Sequence, residues 1–151
     1  MPSHISKAKI TIFGAGGGGA GCRYYPNYGG NGGQGGNATV YLSGISGTYT
    51  INIGVGGAPG YSANSVGQPG GTSSFSNLIY AYGGAGGNRQ SNPRPADGAT
   101  GGITVNSGQY IGSAQLYSPN SGVGGVGAAC LTDGNPRGGV TGQDGSVIIE
   151  Y

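Results

Sequence analysis

The chain carries few side chains that could act as acids, bases, nucleophiles or metal ligands. Its acidic residues are Asp97, Asp133, Asp144 and Glu150, and its one histidine is His4. Each aspartate precedes a glycine, and Asp-Gly is first of all a turn sequence. Acid–base catalysis by two carboxylates needs a pair brought together from separate loops, and no spacing here predicts such a pair. We therefore expect no catalytic residues and a protein that is not an enzyme.

The two cysteines, Cys22 and Cys130, lie far apart in the sequence. Together with a single histidine they match no zinc-ligand spacing, so we expect no metal and no other cofactor. The two cysteines could form a disulfide. The N-terminus shows no secretory signal, because Lys7 and Lys9 interrupt its apolar residues, and without a signal two thiols are an equal alternative.

A strand-like stretch runs into GAGGGGAG at 14–21, which contains the spacing G-x-G-x-x-G of dinucleotide-binding proteins. The residues that follow, from Cys22 to Pro26, show no helical periodicity. The first acidic residue of the chain is Asp97, whereas a ribose-binding carboxylate is expected about twenty residues after the glycines. A phosphate-binding loop is excluded too, since no Gly-Lys-Ser/Thr occurs.

Tyrosines and arginines in predicted loops remain as candidates for binding. Tyr combined with Arg, Asn and Ser is typical of adaptable contact surfaces, and planar rings also stack on sugars. An equal alternative is that these rings cover sheet edges and glycine layers of the same molecule. The candidate contact residues are Tyr24, Tyr25, Tyr28, Tyr61, Arg89, Arg94, Tyr110 and Tyr117.

Glycine periodicity indicates the scaffold. Residues 29–37 read GGNGGQGGN, a period of three that matches a left-handed threefold extended helix without internal hydrogen bonds. Its backbone groups must then bond to neighbouring segments. We expect the chain to be a polyglycine-II sandwich built around 29–37, with glycines packed against other backbone. The scaffold-packing candidates are Gly30, Gly33, Gly36, Gly84, Gly87 and Gly125.

Composition indicates one ordered glycine-rich domain, 1–151, with 1–5 frayed. The 39 Gly and 8 Pro approach the range of low-complexity disorder, but the net charge of +2 and the 11 Tyr favour order. Six basic residues scattered along the chain make no nucleic-acid-binding patch. No apolar stretch is long enough to span a membrane.

Alternating apolar residues predict short strands and no helix. A hairpin is predicted from 38–42, a turn at 44–47 and a second strand whose Tyr49, Ile51, Ile53 and Val55 share one face. We also expect 6–13 to pair with 146–151, because both terminal strands would otherwise be exposed edges. With two Phe and no Trp, the apolar core should be thin.

Several motifs together resemble one known family. The strand into GAGGGGAG, then TYTINIGVGG, GGTSSF, YGGAGG and the ending GQDGSVIIEY occur in this order. The chain resembles the glycine-rich domains at the tips of bacteriophage tail fibres, including the tail-fibre-tip adhesins of T-even-like phages. The resemblance implies an all-β-like polyglycine-II sandwich with receptor contacts on the loops between glycine runs. Those loops would be 23–28, 60–68, 89–99, 110–120 and 130–137.

Two functions follow as expectations. One is an adhesive module, extracellular or on a virion surface, that binds a host receptor such as a glycan or an outer-membrane protein. The other is a self-assembling subunit of an extracellular glycine-rich filament or coat. In either case we expect a homo-oligomer or fibre, because a thin apolar core leaves a lone domain marginal and the low charge permits close approach of copies.

Overall fold

The computed structural model describes residues 7–22, 27–62, 65–89, 97–106, 122, 128, 135 and 137–151. Within these ranges the chain has no helix, and the all-β class predicted from the sequence is confirmed. The strands are β1 (Lys7–Phe13), β2 (Asn37–Ser43), β3 (Ile51–Asn52), β4 (Ser73–Phe75), β5 (Ile79–Ala81), β6 (Ile103–Val105) and β7 (Ser146–Glu150).

The strands form two antiparallel sheets, one with the order β2-β1-β7 and one with the order β3-β4-β5-β6. The sheets pack face to face over one apolar cluster that includes Ile10, Ile12, Phe75 and Ile79, all fully buried. Tyr49 covers this core by stacking on Phe75, with 5.0 Å between the ring centroids. Of the ten buried residues in this cluster, three are alanines.

The predicted pairing of the two terminal strands is confirmed. Lys9 lies opposite Glu150 and Phe13 lies opposite Ser146 in an antiparallel ladder. An ion pair joins the Lys9 Nζ and the Glu150 Oε2 at 2.6 Å. However, β1 is no edge strand, because β2 occupies its other side with Val40 opposite Ile10.

The predicted hairpin of 38–55 is wrong. β2 pairs with β1, whereas β3 pairs with β4 through Ile51 opposite Phe75. Residues 44–50 therefore cross from one sheet to the other. The side chains of Ile51 and Ile53 also remain exposed at 44% and 48%. Of the predicted second strand only Ile51–Asn52 is a strand, so alternation gave neither its length nor its partner.

Beyond β1 the chain continues as 14–22, here called the central segment. Its N–H groups donate to three neighbours in strict rotation, so that every third residue bonds to the same neighbour. The first set of N–H groups, of Gly14, Gly17 and Ala20, donates to the carbonyls of Gly36, Gly33 and Gly30. The second set, of Ala15, Gly18 and Gly21, donates to the carbonyls of Gly71, Gln68 and Ser65. The third set, of Gly16, Gly19 and Cys22, donates to the carbonyls of Gln143, Val140 and Arg137.

The carbonyl groups of the central segment accept hydrogen bonds from three further stretches. Gly57 donates to Gly16, Gly84 to Ala15 and Ala128 to Ala20, at 2.8 to 2.9 Å. Stretches next to each other in this ring bond to one another as well. Five stretches thus surround the central segment, and the described residues Gly122 and Ala128 occupy a sixth position around it. The five stretches are 29–36, 82–88, 65–71, 54–60 and 137–145.

The centre of this bundle is therefore 14–22 and not 29–37. Between Gly14 and Gly21 no side chain is larger than a methyl group, so backbone can pack on every side. In 29–36, the side chains of Asn31 and Gln34 are only partly buried. The backbone carbonyls of these two residues accept hydrogen bonds from a seventh stretch, 98–102, which lies outside the ring. Because these amide side chains need room outside the packed centre, 29–36 lies in the ring around the central segment.

The bundle uses glycine for close approach and not for unusual dihedral angles. Among the described glycines, only Gly44, Gly47 and Gly122 have positive φ. A Cβ added at Gly33 would lie closer than 3.0 Å to the carbonyl oxygens of Gly98 and Ala99. Both atoms belong to backbone that is itself hydrogen-bonded, so neither can move aside cheaply.

We predict that Gly33→Ala destabilises the domain, whereas Gly102→Ala does not. A Cβ at Gly102 meets no atom within 4 Å, and its φ is not positive, so this variant is the matched control. Overpacking at Gly33 should cost about 3 kcal/mol, while alanine at Gly102 should stabilise by a few tenths of a kcal/mol. Urea denaturation checks both, and equal midpoints for the two variants would contradict the packing.

Candidate binding surface

Four chain links leave the bundle at the same end. The central segment ends with Cys22 bonded to Arg137, after Gly21 bonded to Ser65 and Ala20 bonded to Gly30. Because the segments are held in this register, their ends coincide. The links 23–28, 61–64, 89–97 and 129–136 therefore all connect segments at one end, here called the loop end. The strand sandwich occupies the opposite end.

The expected loops 23–28, 89–99 and 130–137 overlap three of these links. The expected loop 60–68 is wrong in part, because 65–68 belong to the ring segment 65–71 and only 61–64 form a link. The expected loop 110–120 lies outside the described residues. Among the candidate contact residues, Tyr28 and Tyr61 flank links and are 41% and 73% exposed, and Arg89 is also exposed. Tyr24, Tyr25, Arg94, Tyr110 and Tyr117 lie outside the described residues, as does the scaffold candidate Gly125.

The scaffold candidates in the described part lie inside the bundle. An added Cβ at Gly36, Gly84 or Gly87 would meet backbone closer than 3.0 Å, as at Gly33. Gly30 is buried and bonds through its N–H to Asn88 and through its carbonyl to Ala20. The bundle therefore gives the links a platform whose backbone is fixed by its own hydrogen bonds.

The register also sorts the charged residues. All four arginines, Arg23, Arg89, Arg94 and Arg137, fall in or directly beside the links, whereas both lysines lie on β1. Of the described acids, Asp97 lies at the loop end, and Asp144 and Glu150 lie in the other half. Arg23, Arg94 and Asp133 are outside the described residues, so the charges that the structure places at the loop end are those of Arg89, Arg137 and Asp97. Sequence analysis did not group these three residues, because only the register brings the ends of their segments together.

A disulfide fixes Cys22, the residue after which the link 23–28 begins. Cys22 is disulfide-bonded and fully buried, and the other cysteine of the chain, Cys130, belongs to the link 129–136 outside the described residues. The backbone of Cys22 also exchanges two hydrogen bonds with Arg137, at 2.9 and 2.7 Å. The start of the link 23–28 is therefore fixed to the bundle.

Two aspartates act as caps on backbone N–H groups. The carboxylate of Asp97 accepts from the N–H of Asn31 at 2.9 Å, and that of Asp144 accepts from the N–H of Gly56 at 2.7 Å. The following glycines, Gly98 and Gly145, have no positive φ and bond within the bundle. The turn expected at these two Asp-Gly pairs is therefore wrong. Each carboxylate instead accepts a hydrogen bond from a ring N–H group that has no further backbone segment beside it.

Other kinds of site find little support in the described part of the chain. It contains no cluster of three or more His, Cys, Asp or Glu residues able to hold a metal ion. No helix there is long and apolar enough to cross a membrane. An open pocket of about 400 Å³ lies at the strand end, lined by Lys7, Lys9, Tyr41, Leu42, Glu150 and neighbouring residues.

Comparison with known proteins assigns the chain to a family. A family model for a glycine-rich domain matches residues 1–117, which is more than half of the chain. The chain belongs to this glycine-rich domain family. No curated protein matches it in sequence. Membership of this family agrees with a scaffold built from glycine segments. The role of the links has to be inferred from their own residues.

We predict that Asp97→Ala loosens the loop end locally. The Asp97 carboxylate holds the Asn31 N–H, and its Oδ2 lies 3.4 Å from the Asn31 amide nitrogen. Loss of this exposed bond should cost about 1 kcal/mol, equivalent to about fivefold faster amide hydrogen exchange at Asn31. The amide of Gly17, in the central segment, is the control. Unchanged exchange at Asn31 would show that the carboxylate is not a cap.

Proposed function

We propose that this domain is a non-enzymatic adhesive module, similar to the tip of a phage tail fibre, that binds a cell-surface receptor through its loop end. The observation that carries the proposal is that four links leave one end of a rigid glycine bundle. Binding residues are commonly found on loops that a rigid scaffold positions. The links can differ in sequence without disturbing the bundle, because the bundle is held by backbone bonds.

The scaffold of this module is best understood as a polyglycine-II bundle. A threefold extended helix presents its N–H groups in three directions, and the rotation along the central segment has this period. None of the glycines of the central segment has a positive φ, which agrees with the left-handed form of such helices. A bundle of this kind supplies rigidity without large side chains.

The loop end favours an acidic glycan as the receptor. Exposed tyrosines such as Tyr28 and Tyr61 provide planar rings that can stack on sugars. Arginine suits carboxylate and phosphate groups because its guanidinium donates two parallel hydrogen bonds. All four arginines lie in or beside the links, and their positive charge would attract acidic saccharides.

Binding without catalysis agrees with the use of the acidic residues. Asp97 and Asp144 bind backbone N–H groups, and Glu150 pairs with Lys9. The disulfide at Cys22 agrees with a location outside the cytoplasm, extracellular or on a virion surface. The module would then act where reducing systems do not reach it.

The test compares two tyrosines at opposite ends of the molecule. Tyr61 is 73% exposed at the loop end and Tyr151 is 78% exposed beyond β7, so neither substitution to serine should affect folding. We expect Tyr61→Ser to weaken binding of the labelled protein to host cells or a bacterial-glycan array at least tenfold, about 1.4 kcal/mol. Tyr151→Ser should bind like the unaltered chain.

Further arms of the same experiment identify the receptor. Periodate treatment of the cells should abolish binding to a glycan, while protease treatment should leave it intact. Arg89→Gln should weaken binding to acidic saccharides and reduce its salt dependence. Equal binding by the Tyr61→Ser and Tyr151→Ser variants would place the receptor site away from the loop end.

A further inference from the structure

The sheet β3-β4-β5-β6 carries a straight row of uncharged, hydrogen-bonding side chains on its outer face. Asn52 of β3 lies opposite Ser74 of β4, which lies opposite Tyr80 of β5. Tyr80 in turn lies opposite Thr104 of β6. Because successive residues of a strand point to opposite faces, and Ile79 belongs to the core, Tyr80 and its row face away from the core. Each of the four strands therefore contributes one residue to this row.

Tyr82 extends the same face by one further aromatic side chain. The antiparallel ladder continues to it, because its N–H donates to the Gly102 carbonyl at 3.0 Å. Its side chain starts about 7 Å from that of Tyr80, on the same side of the strand. Tyr82 is 43% exposed, and Tyr80 is partly exposed. We call Asn52, Ser74, Tyr80, Tyr82 and Thr104 the polar face.

Two hydrogen bonds within the polar face hold its side chains in place. The Asn52 Nδ2 donates to the Ser74 Oγ at 3.0 Å. The hydroxyl groups of Tyr82 and Thr104 are hydrogen-bonded at 3.2 Å. Side chains that are ordered before a ligand arrives lose less conformational freedom on binding. The Asn52 side-chain oxygen and the Tyr80 hydroxyl make no hydrogen bond within the part of the chain that the structure describes, so a ligand can bond to both.

The strands that form the polar face carry no charge. No charged residue occurs between Arg23 and Arg89, the stretch that contains β3, β4 and β5. None occurs between Asp97 and Asp133, the stretch that contains β6. An ionic ligand would lose hydration on this face without gaining a partner of opposite charge. A neutral saccharide avoids that cost, because its hydroxyl groups both donate and accept hydrogen bonds and its C–H groups can pack on tyrosine rings.

The dimensions of the polar face suit a small ligand and not a protein. Four strands about 4.8 Å apart span about 19 Å with their side chains, and strands of three residues are about 10 Å long. The resulting area of about 200 Å² is a quarter of the roughly 800 Å² that one partner contributes to a standard protein interface. The row of four side chains is long enough to contact several sugar rings in succession.

We propose that the polar face binds a neutral oligosaccharide. The rings of Tyr80 and Tyr82 contact the C–H groups of the sugars, and the side chains of Asn52 and Thr104 bond to their hydroxyl groups. This site lies on the strand sandwich, at the opposite end of the molecule from the loop end. It is separate from the proposed receptor site and does not depend on it. One domain would then contact an acidic saccharide at the loop end and a neutral one at the sandwich.

NMR titration of the isotope-labelled full chain tests the site, with maltohexaose, cellohexaose and mannohexaose as probes. We expect at least one probe to shift the backbone amides of Tyr80, Tyr82 and Thr104 with a Kd of about 1 mM. Tyr82→Ala should raise that Kd about fivefold, because it removes the exposed ring. Tyr82→Phe keeps the ring and should retain most of the affinity. Tyr41→Ala is the matched control, since Tyr41 of β2 is 48% exposed on the other sheet, and this variant should bind like the unaltered chain.

A thermal melt of each variant verifies folding. The absence of amide shifts with all three probes at about 10 mM, ten times the expected Kd, would overturn the proposal. So would shifts confined to the loop end, or equal Kd values for the Tyr82→Ala and Tyr41→Ala variants. The Tyr61→Ser variant, which tests the loop end, should bind the neutral probe with an unchanged Kd. Failure of one site is thus distinguishable from failure of the other.

Discussion

The structure depends on backbone hydrogen bonds that leave one extended segment in three directions. In a β-strand the N–H and C=O groups point to two sides, whereas along 14–22 they rotate through three directions as donors and three as acceptors. One segment can therefore hold six neighbours. Such packing requires glycine at most of these positions, with alanine tolerated at Ala15 and Ala20, because each neighbour approaches to backbone contact distance. The high glycine content is thus a requirement of the central segment.

The strand sandwich sets the register on which the bundle relies. Each strand of the sandwich continues directly into or out of a glycine segment, as β1 does into 14–22 and as 137–145 does into β7. Apolar side chains such as Ile10 and Phe75 can occupy only one register, because a slip by one residue would expose them. Glycine segments have few side chains to specify a register. The sandwich therefore aligns the segments, and the segments carry that alignment to the loop end.

The same division would let one scaffold present variable loops in the proposed adhesive function. The links at the loop end join segments that are already fixed by hydrogen bonds, by the disulfide at Cys22 and by the cap at Asp97. Tyr61, for example, is largely exposed although it directly follows the buried Gly60. In the proposed function, changes in such link residues would alter recognition and leave the backbone hydrogen bonds of the bundle in place.

The sequence by itself determined the all-β class, the pairing of the terminal strands and the role of glycine in close packing. Alternation of apolar residues in 7–13 and 146–150 predicts strands. A glycine repeat with a period of three is typical of a threefold extended helix. The candidate contact residues Tyr28, Tyr61 and Arg89 were chosen from residue type and loop position and stay a prediction, although all three are exposed. The scarcity of titratable side chains directed the interpretation toward binding.

Only the tertiary structure decided which segments are neighbours. Residues 38–55 contain every local signal of a hairpin, yet β2 joins β1 and β3 joins β4, because the two faces must bury side chains from opposite sides of one core. The central position of 14–22 likewise depends on packing from all sides at once, which no local period reveals. The grouping of four links, and of Arg89, Arg137 and Asp97, at one end follows from this register. Contacts distant in the chain set it, and a sequence pattern does not encode them.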